Sequence, residues 1–155
     1  MLVRALMVAI LFVLVAGAGQ ANERGSKADA RALAERAADF VRTQGAEAAW
    51  SAFEDPEGPF WDRDLYVFVT SMDCTFLSHG LNPSLKGGNI WNLKNPSGRY
   101  ACRDISELMK AEGKGWTRYI FKDPLSGKLA WKDSYSIKVG DFIISVGAYD
   151  RLVSD

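Results

Sequence analysis

The sequence predicts an α+β domain, with helices first and then an antiparallel sheet of about five strands. Three observations carry this. An apolar stripe at helical spacing, Ala30, Leu33, Ala37, Phe40 and Val41, lies near the N-terminus. From Leu65 the pattern changes to β-branched and aromatic runs. The C-terminal third then carries two hairpin signals, Asp123-Pro124-Leu125-Ser126-Gly127 and Gly140-Asp141, which link three strand-like runs into a meander. At 155 residues, 48% of them hydrophobic and 25% charged, the chain holds one domain with an ordinary core.

The chain opens MLVRALMVAILFVLVAGAGQANE. Arg4 supplies a positive n-region, Ala5 to Val15 an apolar run, and Ala16-Gly17-Ala18 and Gly19-Gln20-Ala21 the small residues of a cleavage site. This layout assigns residues 1–21 to a signal peptide and 22–155 to an exported, periplasmic or secreted domain. The alternative is an uncleaved N-terminal anchor, for which the run falls short of the roughly 20 apolar residues of a spanning helix.

Ser26 and Asp29 have the spacing of a capping box, so the first helix is expected to start there and to stop at Gly45. A second short helix follows from Ala46, with Ala49, Trp50 and Phe53 on one face, and ends at Asp55-Pro56. LYVFVT from Leu65 reads as a strand covered on both faces. After the turn at Ser71-Met72-Asp73, CTFLSHG reads as its hairpin partner. Gly80 to Gly98 is rich in Gly, Asn and Pro yet keeps Leu81, Leu85, Ile90, Trp91 and Leu93, which predicts a packed, lid-like loop. Asp104 and Glu107 are placed to cap a short helix carrying Ile105, Leu108 and Met109 and ending at Gly113. WTRYIF, Leu129–Val139 and FIISVGAY complete the sheet.

Several chemistries are excluded on composition. With 19 basic and 19 acidic residues and no basic cluster, there is no footprint for nucleic acid. One His and two distant Cys make no zinc set, and no alternating Asp/Asn run forms a calcium loop. His79 is the only His, and no Gly-x-Ser-x-Gly elbow accompanies it, so no catalytic residues, metal site or cofactor are assigned. Asp62 and Asp64 read as a solvated strand entry. Cys74 and Cys102 are an even pair in an exported chain; a bridge would add about 3–4 kcal/mol through loop entropy, and two buried thiols are the other reading.

Lys132 sits inside a strand beside Trp131 and near Tyr135. A Lys there faces either water or an anion, and a charge-assisted bond to a carboxylate is worth about 1.5–3 kcal/mol. Strict alternation separates Lys132 from Tyr135, and Trp116 from Tyr119, so each pair shares one wall only if a bulge intervenes.

The run DLYVFV, then SHG-x-NP with Gly87 following, NPSG, GKGWTRYIFKDPLSGK, WKDSY and DFIISVGAY resembles the single Cache domain of bacterial extracytoplasmic sensors. The similarity extends from about Ala28 to Tyr149. It implies a long N-terminal helix packed on a PAS-like antiparallel sheet, with a cavity between the sheet and the loops after the first hairpin. It also implies a non-catalytic domain that binds a small molecule, a short carboxylate being favoured, and feeds signal transduction or chemotaxis. Carried over by position, the ligand-binding set is Tyr66, His79, Asn82, Trp116, Tyr119, Lys132 and Tyr135. Lys132 is the carboxylate anchor in that frame, Tyr119 and Tyr135 the hydroxyl donors, and Trp116 the apolar wall.

Two positions depart from the family pattern. Cys74 replaces a common Gly after the turn Asp, and Gly80 follows His79 where many members have Pro. The chain also stops six residues after Tyr149, with no second membrane helix or signalling module, so the expectation is a free binding protein acting through a separate membrane receptor or sensor kinase. The first helix is the expected site of any homodimer. The alternative function is an unliganded structural or interaction subunit of a membrane sensor complex.

Overall fold

The computed structural model describes residues 24–153, and the signal-peptide assignment lies outside them. Three helices and six strands follow one another as α1 (Lys27–Gln44), α2 (Ala46–Glu54), β1 (Trp61–Asp62), β2 (Leu65–Ser71), β3 (Phe76–His79), α3 (Ala101–Glu112), β4 (Lys114–Lys122), β5 (Leu129–Val139) and β6 (Phe142–Leu152). The sheet order is β1-β2-β6-β5-β4, with β3 also paired to β2, and every pairing is antiparallel. The strand beyond the five expected is the two-residue β1.

Helix α1 begins as its capping box dictates. Asp29 N–H donates to Ser26 Oγ at 3.1 Å, and Ser26 N–H donates back to the Asp29 carboxylate at 3.0 Å. The buried stripe, Ala30, Leu33, Ala34, Ala37, Ala38 and Val41, is mostly alanine, so α1 lies close against the sheet. It meets Leu65, Val67, Val69, Ile137, Ile144 and Val146, and α2 closes the end of this layer with Phe53 packed edge-on against Phe60.

Helix α3 starts at Ala101, three residues before Asp104. Tyr100, at the N-cap, offers no side-chain cap, and Asp104 is instead bound by Arg99 at 2.8 Å. The first turn is anchored by Cys102, which is disulfide-bonded to Cys74. Asp64 is also corrected. It is buried, accepting Gly25 N–H at 2.6 Å and facing Arg24, which reaches Asp123 at 3.0 and 2.7 Å. Asp62 and Asp64 therefore differ, the latter tying the entry to α1 onto the sheet.

The long loop is organised throughout. Gly87 and Gly88 bond to the Phe76 backbone at 2.8 and 2.9 Å, and Ile90 N–H to Cys74 C=O at 2.9 Å, so the loop also binds the start of β3 and the residues before it, in addition to the pairing of β3 with β2. A single 3₁₀ turn spans Pro83–Leu85. Further on, Arg103 of α3 donates to Trp91 C=O at 2.6 Å, hydrogen-bonds Asn92 and stacks 4.0 Å from the Tyr100 ring centroid.

Candidate ligand-binding site

Antiparallel register decides which side chains meet, because directly opposed residues share a face. Tyr119 of β4, Lys132 of β5 and Tyr149 of β6 form one cross-strand row. Phe68 of β2 opposes His79 of β3. These side chains, with Tyr66, Phe121 and Ser134, project away from α1 and α2 toward α3 and the loop.

A cavity of about 290 Å³ lies on this face. Phe68, His79, Tyr119, Phe121 and Lys132 supply the floor, Ala101, Cys102 and Ile105 of α3 one side, and Ile90, Leu93, Lys94, Asn95 and Pro96 the roof. The loop between Gly80 and Gly98 thus covers the cavity, as its internal apolar residues imply.

Lys132 is 1% exposed. Its ammonium donates to the Tyr66 hydroxyl at 2.9 Å and lies 4.5 to 5.2 Å from the ring centroids of Tyr66, Phe68, Phe121 and Tyr149. No carboxylate among the described residues pairs with it. Burial, the largest influence, opposes its charge, and what raises its titration is chiefly attraction to Tyr149, Tyr66 and Tyr119 as charged groups, which they are not at neutral pH. A phenol at that pH offers a dipole and a π face but no countercharge. The tyrosines are themselves linked. Tyr66 and Tyr149 hydroxyls are 3.0 Å apart, and Tyr119 is 2.8 Å from Ser134 Oγ. Burial pushes the Tyr119 and Tyr149 hydroxyls up.

His79 packs among Tyr66, Phe68 and Phe76, with ring centroids 5.1 to 6.0 Å away. Burial and then the nearby Lys132 charge push it down to about 3, so it is neutral in solution near pH 7. Its Nδ1 accepts the Asn82 N–H at 3.0 Å, which places the proton on Nε2 and makes that nitrogen a donor.

The structure brings Tyr66, His79, Tyr119 and Lys132 together and separates the other three. Trp116 and Tyr135 oppose each other on the far face, under the N-terminal end of α1, where Lys27 and Arg31 sit 4.6 and 5.3 Å from their ring centroids. The β5–β6 register shifts between Ala130 and Lys132, not between Lys132 and Tyr135, so alternation holds and keeps both aromatics off the cavity wall. Asn82 is exposed, holding Ser84 at the start of the 3₁₀ turn, and reaches the site only through its backbone bond to His79.

Phe68, Phe121 and Tyr149 complete the ring around the ammonium, although no motif marks them as ligand contacts. For Tyr149 a signal exists in the sequence: a two-residue turn at Gly140-Asp141 pairs Val139 with Phe142, and counting outward sets Lys132 opposite Tyr149. Asn95, in the NPSG segment, is another roof residue. Its Oδ1 accepts Ser97 N–H at 2.8 Å, and its buried Nδ2 has no hydrogen-bond partner.

Solved structures with this architecture include a methyl-accepting chemotaxis protein from Vibrio parahaemolyticus. It is 19% identical with a TM-score of 0.69, covering 79% of this chain and 87% of its own. A periplasmic sensor domain of a chemotaxis protein is 20% identical with a TM-score of 0.64, over 78% and 88% of the two chains. A Cache chemosensory domain described for carboxylic acid recognition is 18% identical with a TM-score of 0.61, over 77% and 85%. At these identities the likeness is one of fold. The family profile for Single Cache domain 2 matches residues 6–155, almost the whole sequence. The chain therefore belongs to the single Cache domain family, whose members are extracytoplasmic ligand-sensing domains.

Proposed function

We propose that this protein binds a small organic acid, with the carboxylate on Lys132 and with the Tyr119 hydroxyl and His79 Nε2–H, which line the same cavity, as further donors. The observation that carries the reading is the buried Lys132 ammonium without a carboxylate partner. Leaving a charge so placed is costly, and an incoming carboxylate supplies both the countercharge and acceptors for its remaining N–H groups. The chemoreceptor relative described for carboxylic acid recognition supports the same ligand class.

The open cavity favours ligand binding over a domain whose pocket is filled by its own side chains. Binding would be reported to a separate membrane receptor or sensor kinase, in keeping with the signalling role of the family. The outward face of α1 carries Arg31–Glu35 and Asp39–Arg42 ion pairs, so a dimer through this helix would be held by charge rather than by an apolar seam.

A thermal-shift screen of carboxylates tests the proposal, since a ligand that binds only the folded state raises the melting temperature. Acids are expected to raise it for the native protein and not for Lys132→Ala. An equal shift in the variant overturns the anchor assignment.

A further inference from the structure

Resting on that anchor, we infer that the preferred ligand is a monocarboxylic acid with an extended apolar body, linear or aromatic, rather than acetate or propionate. The cavity measures about 290 Å³. At about 30 Å³ per water-sized group it has room for roughly ten non-hydrogen atoms. A carboxylate uses three, leaving space for about seven carbons, where acetate, with four non-hydrogen atoms in all, would fill about two fifths of the cavity.

The buried charge stands at one end, and Asn95 adds a single polar group in the roof. Lys132 and His79 stand on the sheet floor, whereas the walls beyond them are Phe76, Ile90, Leu93, Ala101, Ile105 and Ile120. Leu93 and Leu129 line the same cavity and are 61% and 44% exposed, so its outer end is an apolar mouth that gains burial when a hydrocarbon body reaches it. Lys94 and Lys122 line the mouth as well, but both are exposed, which leaves their ammonium heads in water and only their stems against the chamber. A ligand with charge at one end and hydrocarbon along the rest matches this distribution. A dicarboxylate would have to bring its second charge to a mouth lined by Leu93 and Leu129, where the only cations besides Lys132 among the described lining residues, Lys94 and Lys122, are exposed to water rather than buried.

Isothermal titration of the purified protein with acetate, butanoate, hexanoate, octanoate, 3-phenylpropanoate, octanedioate and octan-1-ol tests the inference. Affinity is expected to rise about fourfold per methylene up to octanoate. Octanedioate and octan-1-ol are expected to bind more weakly than octanoate by about tenfold or more. Ala101→Leu, which narrows the chamber on its α3 side, should weaken octanoate by about tenfold. If acetate or butanoate equals octanoate, or octanedioate binds best, and Lys132→Met still abolishes binding, the apolar body is wrong and the carboxylate anchor stands. If no acid binds, or octan-1-ol equals octanoate, the anchor itself fails and the inference falls with it.

Discussion

Lys132 lies across Gly147 so closely that a Cβ on Gly147 would overlap its Cε and crowd Ser134 Oγ. Gly147 pairs with Ser134, next to the Lys132–Tyr149 pair, on the cavity side of β6. The glycine of the VGAY segment is thus the groove in which the lysine side chain rests on its way to the Tyr66 hydroxyl. Gly147→Ala is expected to push Lys132 out of this path, lowering stability by about 1–3 kcal/mol through overpacking and weakening acid binding as well. Urea unfolding and titration calorimetry read the two effects. Unchanged affinity would show that the lysine's position does not depend on this contact.

Lys132→Met separates charge from packing. Methionine keeps an unbranched apolar chain over Gly147 and removes a charge that no carboxylate offsets. The unliganded protein is expected to be at least as stable as the native one, because a packed apolar group replacing such a buried charge is neutral to stabilising by about 1–4 kcal/mol. The response to acids is lost. A large fall in unliganded stability would mean that the ammonium is fully satisfied by the tyrosines and aromatic rings.

The disulfide links the β2–β3 turn to α3, and the loop that roofs the cavity lies within the interval it closes. Its removal is expected to cost about 3–4 kcal/mol and to weaken ligand binding by loosening the roof. Cys74 has φ of 66°, the left-handed region. In a Cys102→Ala background, Cys74→Gly should therefore retain about 1 kcal/mol more stability than Cys74→Ala. Denaturant midpoints of the two double variants decide this, and equal midpoints would contradict it.

His79 gives the fold a pH dependence of definite sign. Its folded value, about 3, lies below the ordinary 6.5, so the unfolded chain binds more protons between these limits. Stability is complete above about pH 6.5 and falls with acidification by up to about 1.4 kcal/mol per pH unit toward pH 3. Asp123, held near 2 chiefly by its hydrogen bond from Arg24, adds its loss only below the ordinary carboxylate value of 3.8. His79→Gln should flatten the stability profile between pH 6.5 and 4 and leave the steeper fall below it. A slope in that window unchanged by the substitution would place its origin elsewhere.

Sequence alone determined what is local. The Ser26–Asp29 box starts α1, Gly140-Asp141 turns β5 into β6, and Leu129–Val139 is a strand, because capping, turn chemistry and strand propensity act over a few residues. The two-residue period of a strand likewise suffices to separate Lys132 from Tyr135 and Trp116 from Tyr119. It cannot say which face opens onto a cavity, since a period of two labels both faces alike. Tertiary packing decided that. The alanine stripe of α1 covers the Trp116–Tyr135 face, and α3 with the 80–98 loop roofs the Tyr119–Lys132 face without filling it. Site residues assigned by motif order therefore mix the two faces. The long-range choice of which layer covers which side made Lys132, Tyr66, Tyr119 and His79 neighbours, and put Tyr135 in the opposite core with the half-buried Trp116 packed against it.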